Sequence, residues 1–369
     1  MVVNPYEVKG NIDYDYLIKD FGLQELGEKE LNQIKKYCGE IHPYLSRGIF
    51  FAHRDLDKLF LEIDKGKDFF IYTGAGPSGP IHLGHLGVWR FVKWLQDKFD
   101  CDLWFQFTDD EKFLFKDKSY DEIQKWTYEN MKDIIALDFN PKKTHFLIDT
   151  LHAGMMYPEA IKVAKKITFS TIKSAFGFTN SNNIGSIFYT AMQTVPIFLP
   201  NVINKTNSMC LIPLGVDQEP HFRVSRDVLE KLGHKKPAII HSKLMPPLVG
   251  INGKMSSSDS TKAILTTDSP SIVKKKINKY AFSGGQVTVE EHRKKGGNVN
   301  VDIACQWLKY FEFDNKKLEK IYEDYSTGKL LSGEVKKILI DKINEFLKGF
   351  QEKREKAKDR FDEFIYKPK

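Results

Sequence analysis

Apolar residues recur along this chain with two different periods, and the change from one to the other marks out its parts. Residues 68–74 (Asp-Phe-Phe-Ile-Tyr-Thr-Gly) are an apolar run stopped by glycine, the pattern of a buried strand. A loop dense in glycine and proline follows over residues 74–80, and then Leu83, Leu86, Phe91, Leu95 and Phe99 stand at near-helical spacing. Residues 102–108 read as a strand again. Strand, glycine loop, helix and strand predict a βαβ unit of an open parallel sheet. Residues 120–180 read as mainly helical, and residues 210–215 and 238–241 as further short strands. Ahead of this region lie a polar arm (residues 4–10) and helical periodicity over residues 23–37, ending near Gly66. From about residue 270 the chain becomes lysine-rich amphipathic helix, in which Val335, Ile338, Leu339, Ile343, Phe346, Leu347 and Phe350 share one face.

The pattern predicts an α/β protein. A Rossmann-like parallel-sheet domain with a central helical insertion is expected over residues 68–269, an N-terminal extension over 1–67 and an α-helical C-terminal domain over 270–369. Strand-carried functional groups in such sheets gather at the carboxyl ends of the strands. No internal repeat or low-complexity tract interrupts the reading.

Composition narrows the class. With 41% hydrophobic and 28% charged residues the chain reads as an ordinary globular protein, and 369 residues allow more than one core. Cys38, Cys101, Cys210 and Cys305 lie far apart, with no CxxC pair and no histidine at zinc-finger spacing. They are expected to be free thiols, and no structural metal site is expected. The first residues carry Glu7, Asp13 and Asp15 without an apolar run, and no stretch of about 18 apolar residues occurs. A cytoplasmic protein with no membrane partner is the expectation. The net charge of +7 is not evenly spread: residues 271–369 carry 23 basic and 16 acidic residues, which is the whole excess. A local surplus of cations suits either a polyanion partner or a solvated lysine surface.

Two stretches carry chemistry. His82-Leu83-Gly84-His85 opens the helix behind the glycine loop, where unpaired N–H groups and the positive end of the helix dipole favour phosphate. Gly84, without a Cβ, lets a nucleotide lie against the backbone. Lys254-Met255-Ser256-Ser257-Ser258, flanked by Gly250 and Gly253, reads as a hinged loop able to close over a triphosphate, with Lys254 neutralising charge on a leaving pyrophosphate. Taken singly, the first suits a pair of capping or core histidines equally well and the second a polar turn.

As a pair, about 170 residues apart and in this strand–loop–helix setting, they resemble the HxGH and KMSKS signatures of class I aminoacyl-tRNA synthetases. The segments Tyr72-Thr73-Gly74-Ala75-Gly76-Pro77-Ser78, Thr108-Asp109-Asp110-Glu111-Lys112 and Gly215-Val216-Asp217-Gln218 are similar to those of the tryptophanyl-tRNA synthetase family of eukaryotic and archaeal type. So are Pro5-Tyr6-Glu7-Val8, Arg47-Gly48-Ile49-Phe50-Phe51 and Phe282-Ser283-Gly284-Gly285, which spreads the resemblance over nearly the whole chain.

The resemblance implies ATP-dependent activation of L-tryptophan followed by transfer to tRNA(Trp), with Mg²⁺ travelling with ATP, a homodimer, and anticodon recognition by residues 270–369. It assigns catalysis to His82, His85, Lys254 and Ser256. The ATP site is assigned to Gly74, Gly76, His82, Gly84, His85, Asp217, Lys254, Met255, Ser256 and Ser257, and the tryptophan site to Tyr72, Gln106, Glu111, Gln193 and Gln218. Indole offers one donor and no acceptor, so its pocket needs an acceptor such as the Tyr72 hydroxyl, the Gln106 carbonyl or Glu111. Two positions depart from the family pattern: Ala75 stands where an arginine is usual, and Tyr6 where a tryptophan is commoner. The alternatives are a tyrosyl-tRNA synthetase, an HxGH-type small-molecule adenylyltransferase and a catalytically silent tRNA-binding paralogue.

Overall fold

The computed structural model describes residues 2–5, 8–10, 12–255 and 262–368. Ser256, Ser257 and Tyr6, each singled out above, lie outside the described residues. A two-stranded antiparallel ribbon, β1 (Val2–Val3) and β2 (Val8–Lys9), opens the chain. The centre is a seven-stranded sheet built from β3 (Gln24–Glu25), β4 (Phe50–Arg54), β5 (Phe69–Ala75), β6 (Asp102–Phe107), β7 (Thr144–Ile148), β8 (Met209–Gly215) and β9 (Ala238–Ser242). Its spatial order is β3-β4-β9-β8-β5-β6-β7, with β9 to β7 parallel and β4 and β3 added antiparallel.

The protein is therefore α/β, with a mixed sheet that is mainly parallel. Strands β5, β6, β8 and β9 stand where the apolar runs place them. Three strands differ from the sequence reading. Residues 120–180 include strand β7, a five-residue element between long helices that is too short to break the helical periodicity around it. Strands β3 and β4, from residues 1–67, join the same sheet; β4 has three apolar residues (Phe50, Phe51, Ala52) and then His53, all four buried, so its two buried faces hide any alternation.

From β5 the chain steps outward to β6 and β7, then returns to β8 and β9 on the other side of β5. This reversal makes the carboxyl ends of β5 and β8 the switch point of the sheet, the position where such folds bind ligands. Side chains of β5 alternate: Phe69, Ile71 and Ala75 enter one core with Leu103, Phe105 and Phe107 of β6, while Phe70 and Tyr72 enter the opposite core with Trp104. The first core continues through the Leu83–Phe99 helix into the C-terminal helices Pro270–Tyr280, Ile303–Phe311 and Ser332–Lys356. In the last of these Val335, Leu339, Ile343, Leu347 and Phe350 are buried, with Ile338 and Phe346 packed beside them. The C-terminal region is helical, as its amphipathic spacing predicts.

The outer edge of β7 is covered by the end of the chain. Phe146 pairs with Ile365 in an isolated parallel bridge, and the Tyr366 N–H donates to the Phe146 carbonyl at 3.0 Å. All four cysteines are buried and free.

Candidate active site at the switch point of the sheet

The first wall comes from the turn between β5 and the Leu83–Phe99 helix. His82 is the N-cap residue, and its backbone N–H donates to Nδ1 of His85 at 3.4 Å. The two rings stack with centroids 3.8 Å apart, and His85 stacks in turn on Trp89. Burial, then the neighbouring His85 and Lys254, hold His82 well below the usual imidazole range. His85, partly exposed at its side chain, is lowered to about 4 by desolvation and by Lys254 and Lys112. Both rings are thus neutral near pH 7 and each offers one N–H donor. Nδ1 of His82 is buried with no hydrogen-bond partner among the described residues, so this wall keeps an unused polar atom.

The second wall is the Lys254 segment, and it meets the first. A Cβ on Gly84 would press on the His82 ring, 3.0 Å from Nδ1, and would reach ordinary contact with Cβ of Met255 at 3.5 Å, so the two segments lie side by side here. The Leu83 N–H donates to Ile264 O (2.9 Å) and the Thr266 N–H to Ile81 O (3.0 Å), fastening the far end of the 254 loop to the same turn. Lys254 Nζ lies 2.6 Å from Asp217 Oδ2. Asp217 is buried just beyond β8, and Gly215 must be glycine-small because a Cβ there would come within 2.8 Å of Asp217 Oδ1.

The third group lies on the opposite face of β5. Tyr72 and Gln106 point to the same side because Tyr72 is in register with Trp104 and Gln106 follows two residues later. Gly74 lies opposite Gln106, and a Cβ at 74 would stand 2.8 Å from the Gln106 carbonyl oxygen. The Tyr72 hydroxyl donates to Gln106 Oε1 and accepts from Gln193 Nε2 at 2.6 Å, while Tyr189 OH donates to Gln193 Oε1. Glu111 accepts from Thr108 Oγ1 and from Lys112 Nζ, each at 2.8 Å. Burial pushes its carboxyl up, but Lys112 and Thr108 outweigh this and leave it below its usual value, ionised. Gln218 stands beside Asp217 and donates to its Oδ2 at 3.3 Å.

Lys112, Asp110 and Asp149 have no site role in the sequence reading. Lys112 crosses Gly76, its Cε 1.9 Å from where a Cβ would be, so its ammonium covers the glycine loop. Ala75, at the position of the family's usual arginine, packs into the apolar core. Asp149, just past β7, accepts from Gln106 Nε2, and it forms a side-chain hydrogen bond with Asp110. Burial raises both carboxyls, Asp110 to about 6 and Asp149 well above its usual range; the Asp110 charge and hydrogen bond push Asp149 up further, while the bond from Asp149 holds Asp110 lower than burial alone would. Asp149 was legible only to a reader who had placed a strand at 144–148, because its signal is its position at a strand's carboxyl end. No group of three His, Cys, Asp or Glu able to hold a metal ion occurs among the described residues.

Residues 64–348 match the family described as tRNA synthetases class I (W and Y). The chain is 49% identical over 367 residues to the tryptophan–tRNA ligase of Sulfolobus acidocaldarius, covering 99% of this chain and 95% of that protein. It is 45% identical to the cytoplasmic tryptophan–tRNA ligase of Saccharomyces cerevisiae, covering 99% and 88%. The crystal structure of Plasmodium falciparum tryptophanyl-tRNA synthetase superposes with a TM-score of 0.89 at 43% identity, covering 95% of this chain and 97% of that one.

Proposed function

The chain belongs to the class I tRNA synthetases of the tryptophan and tyrosine family and is a ligase of tryptophan to tRNA, and we propose that the cluster at the switch point of its sheet performs both steps of that reaction. In the first step the carboxylate of L-tryptophan attacks the α-phosphorus of ATP, giving tryptophanyl-adenylate and pyrophosphate. In the second the terminal adenosine of tRNA(Trp) takes the tryptophanyl group and AMP leaves.

Tyr72 and Gln106 accept the indole N–H, ionised Glu111 receives the α-ammonium, and Gln193 and Gln218 line the rest of the pocket. Amides of Gly74 and Gly76 and the neutral imidazoles of His82 and His85 face the nucleotide, beside Gly84 and Met255. Lys112 supplies the cation over the glycine loop that Ala75 does not. Lys254, now paired with Asp217, moves onto the departing pyrophosphate with Ser256 and Ser257, which frees Asp217 for the ribose. No protein nucleophile is needed; positioning and charge stabilisation carry the acceleration. Mg²⁺, when bound with ATP, neutralises phosphate charge.

The observation that carries this reading is the joining of the His82 turn to the chain beyond Lys254 by the Leu83–Ile264 and Thr266–Ile81 backbone bonds, beside the Lys254–Asp217 pair and the strands that hold Tyr72 and Gln106.

Residues 1–67, 68–269 and 270–369 are read as extension, catalytic region and anticodon-binding region, the last on the strength of its excess positive charge. Exposed Leu151, Tyr157, Ile161 and Ile184 make an apolar surface in the region assigned to a homodimer contact. No helix among the described residues is long and apolar enough to cross a membrane, and the compartment proposed is that of the cytoplasmic yeast relative.

Pyrophosphate exchange run with tryptophan and tyrosine in parallel, followed by charging of tRNA(Trp), tests the reading. Exchange driven by tryptophan with esterified tRNA supports it; activation of tyrosine alone rejects the pocket assignment, and adenylyl transfer to a non-RNA acceptor rejects the ligase.

A further inference from the structure

Gln106 is fully buried, and its amide is held at both ends. Nε2 donates to Asp149 Oδ1 and Oδ2, each at 2.8 Å. Oε1 accepts from the Tyr72 hydroxyl and, at 3.3 Å, from Gln193 Nε2. The oxygen and nitrogen ends of a glutamine amide have nearly the same shape, so only the hydrogen-bonding character of the neighbours decides which end faces the pocket.

We propose that Asp149 is a positioning residue that sets amino-acid specificity: by accepting from Gln106 Nε2 it fixes the amide with Oε1 toward the ligand, and so keeps the pocket acceptor-only at the indole nitrogen. The proposal rests on the reading of Tyr72 and Gln106 as the indole acceptors. The direction set at Asp149 passes along the chain of bonds. With Oε1 facing inward, the Tyr72 proton is spent on Gln106 and the phenol oxygen keeps a lone pair for the ligand. With the amide reversed, Nε2 would confront Gln193 Nε2, and the freed Tyr72 proton would meet the indole N–H, donor against donor.

Asp110 completes the device. Two buried carboxyls in one hydrogen bond hold a single proton between them. Asp149 directs that proton at Asp110, so its remaining lone pairs toward Gln106 stay acceptors. A carboxylic acid that pointed its proton at Gln106 would favour the reversed amide; Asp110 removes that option. Asp149 is 1% exposed, so water does not compete for the bond.

The test is pyrophosphate exchange with tryptophan and with β-(3-benzothienyl)alanine, which has the same outline but sulfur in place of N–H. In Asp149→Ala, kcat/KM for tryptophan is expected to fall roughly 10- to 100-fold, mainly through KM, from the loss of a buried orienting bond that leaves the Gln106 amide N–H unpaired. The value for the sulfur analogue should stay near wild type, so the preference for tryptophan collapses. Asp149→Asn, which can give its N–H to Asp110 and its carbonyl to Gln106, should keep the preference. Equal losses for both amino acids, or an unchanged ratio, would overturn the proposal. Gln106→Leu run beside it separates the two levels: if that variant keeps the preference, the pocket reading itself fails and this inference with it, whereas loss in Gln106→Leu but not in Asp149→Ala defeats only the role of Asp149. Should Asp149→Ala not fold, ¹⁵N-glutamine labelling of the wild-type protein answers the same question. The Gln106 side-chain amide protons should hold their shifts when tryptophan binds; large shifts on binding would place them against the indole and refute the orientation.

Discussion

The Lys254 ammonium sits 2.6 Å from the Asp217 carboxylate, so the cation of the second signature is held by the group proposed to engage the ribose. On the proposed mechanism, ATP binding exchanges this ion pair for two ligand contacts, and the lysine acts where charge grows. Lys254→Ala is expected to lower kcat for tryptophan activation by roughly 100- to 1,000-fold, the scale of losing one oriented charge-stabilising donor. The KM for tryptophan should change little. A rise in that KM with kcat intact, measured by pyrophosphate exchange, would show that the lysine binds amino acid rather than leaving group.

Gln106→Ala removes an acceptor from a site where Gln106, Tyr72 and Gln193 satisfy one another. Discrimination of tryptophan against phenylalanine, read as the ratio of kcat/KM values, should fall by roughly 100-fold or more, since sites built around a buried polar pair gain most of their selectivity from it. An unchanged ratio would take Gln106 off the list of indole contacts.

Acid should weaken the fold through its buried imidazoles. Burial lowers His42 to about 3 and His221 to about 4, from an ordinary value near 6.5. The unfolded chain binds these protons first, so stability is lost as pH falls from about 6.5 toward 4, by roughly 3 kcal/mol per imidazole at the limit. Asp110, raised to about 6, works the other way: the folded state binds its proton first, adding stability as pH drops from 6 toward 4. The imidazoles outnumber it, so the melting temperature should decline steadily between pH 7 and pH 4.5. A flat or rising profile in calorimetry would contradict these burial effects.

The contact between the helical layer and the sheet domain has a buried cation at its centre. Arg354 of the Ser332–Lys356 helix reaches Glu129 (2.8 Å) and Asp133 (3.1 Å) of the Tyr120–Ile135 helix, and Asp133 is 2% exposed at its side chain. Arg354→Ala strands the Asp133 carboxylate and should cost about 3–5 kcal/mol. Arg354→Ala combined with Asp133→Ala should cost less than the first change alone, because no orphaned charge remains; a denaturant series on the two variants measures this.

What the sequence made legible follows from where each signal lies. The β5–glycine loop–helix unit was readable because its strand is a pure apolar run, its loop is glycine and its helix is long. Tyr72, Gln106, His82 and Lys254 came with motifs attached. Strand β7 did not, since five residues between two long helices carry too little periodicity, and with it went Asp149, whose meaning depends on that strand's end. Lys112 was visible within its motif, but its position over Gly76 is set by the turn after β6 and has no local signature. The Lys254–Asp217 pair joins residues 37 apart through the packing of β8 and β9, which only the folded sheet reveals.

The covering of β7 by Ile365 and Tyr366 has a price in modularity. If the helical layer came loose, a bare strand margin beside Asp149 would be left open to any other unpaired strand, a standing invitation to sticking. Domain-wise melting is thus disfavoured by construction: the C-terminal helices and the sheet are expected to come apart as one cooperative block.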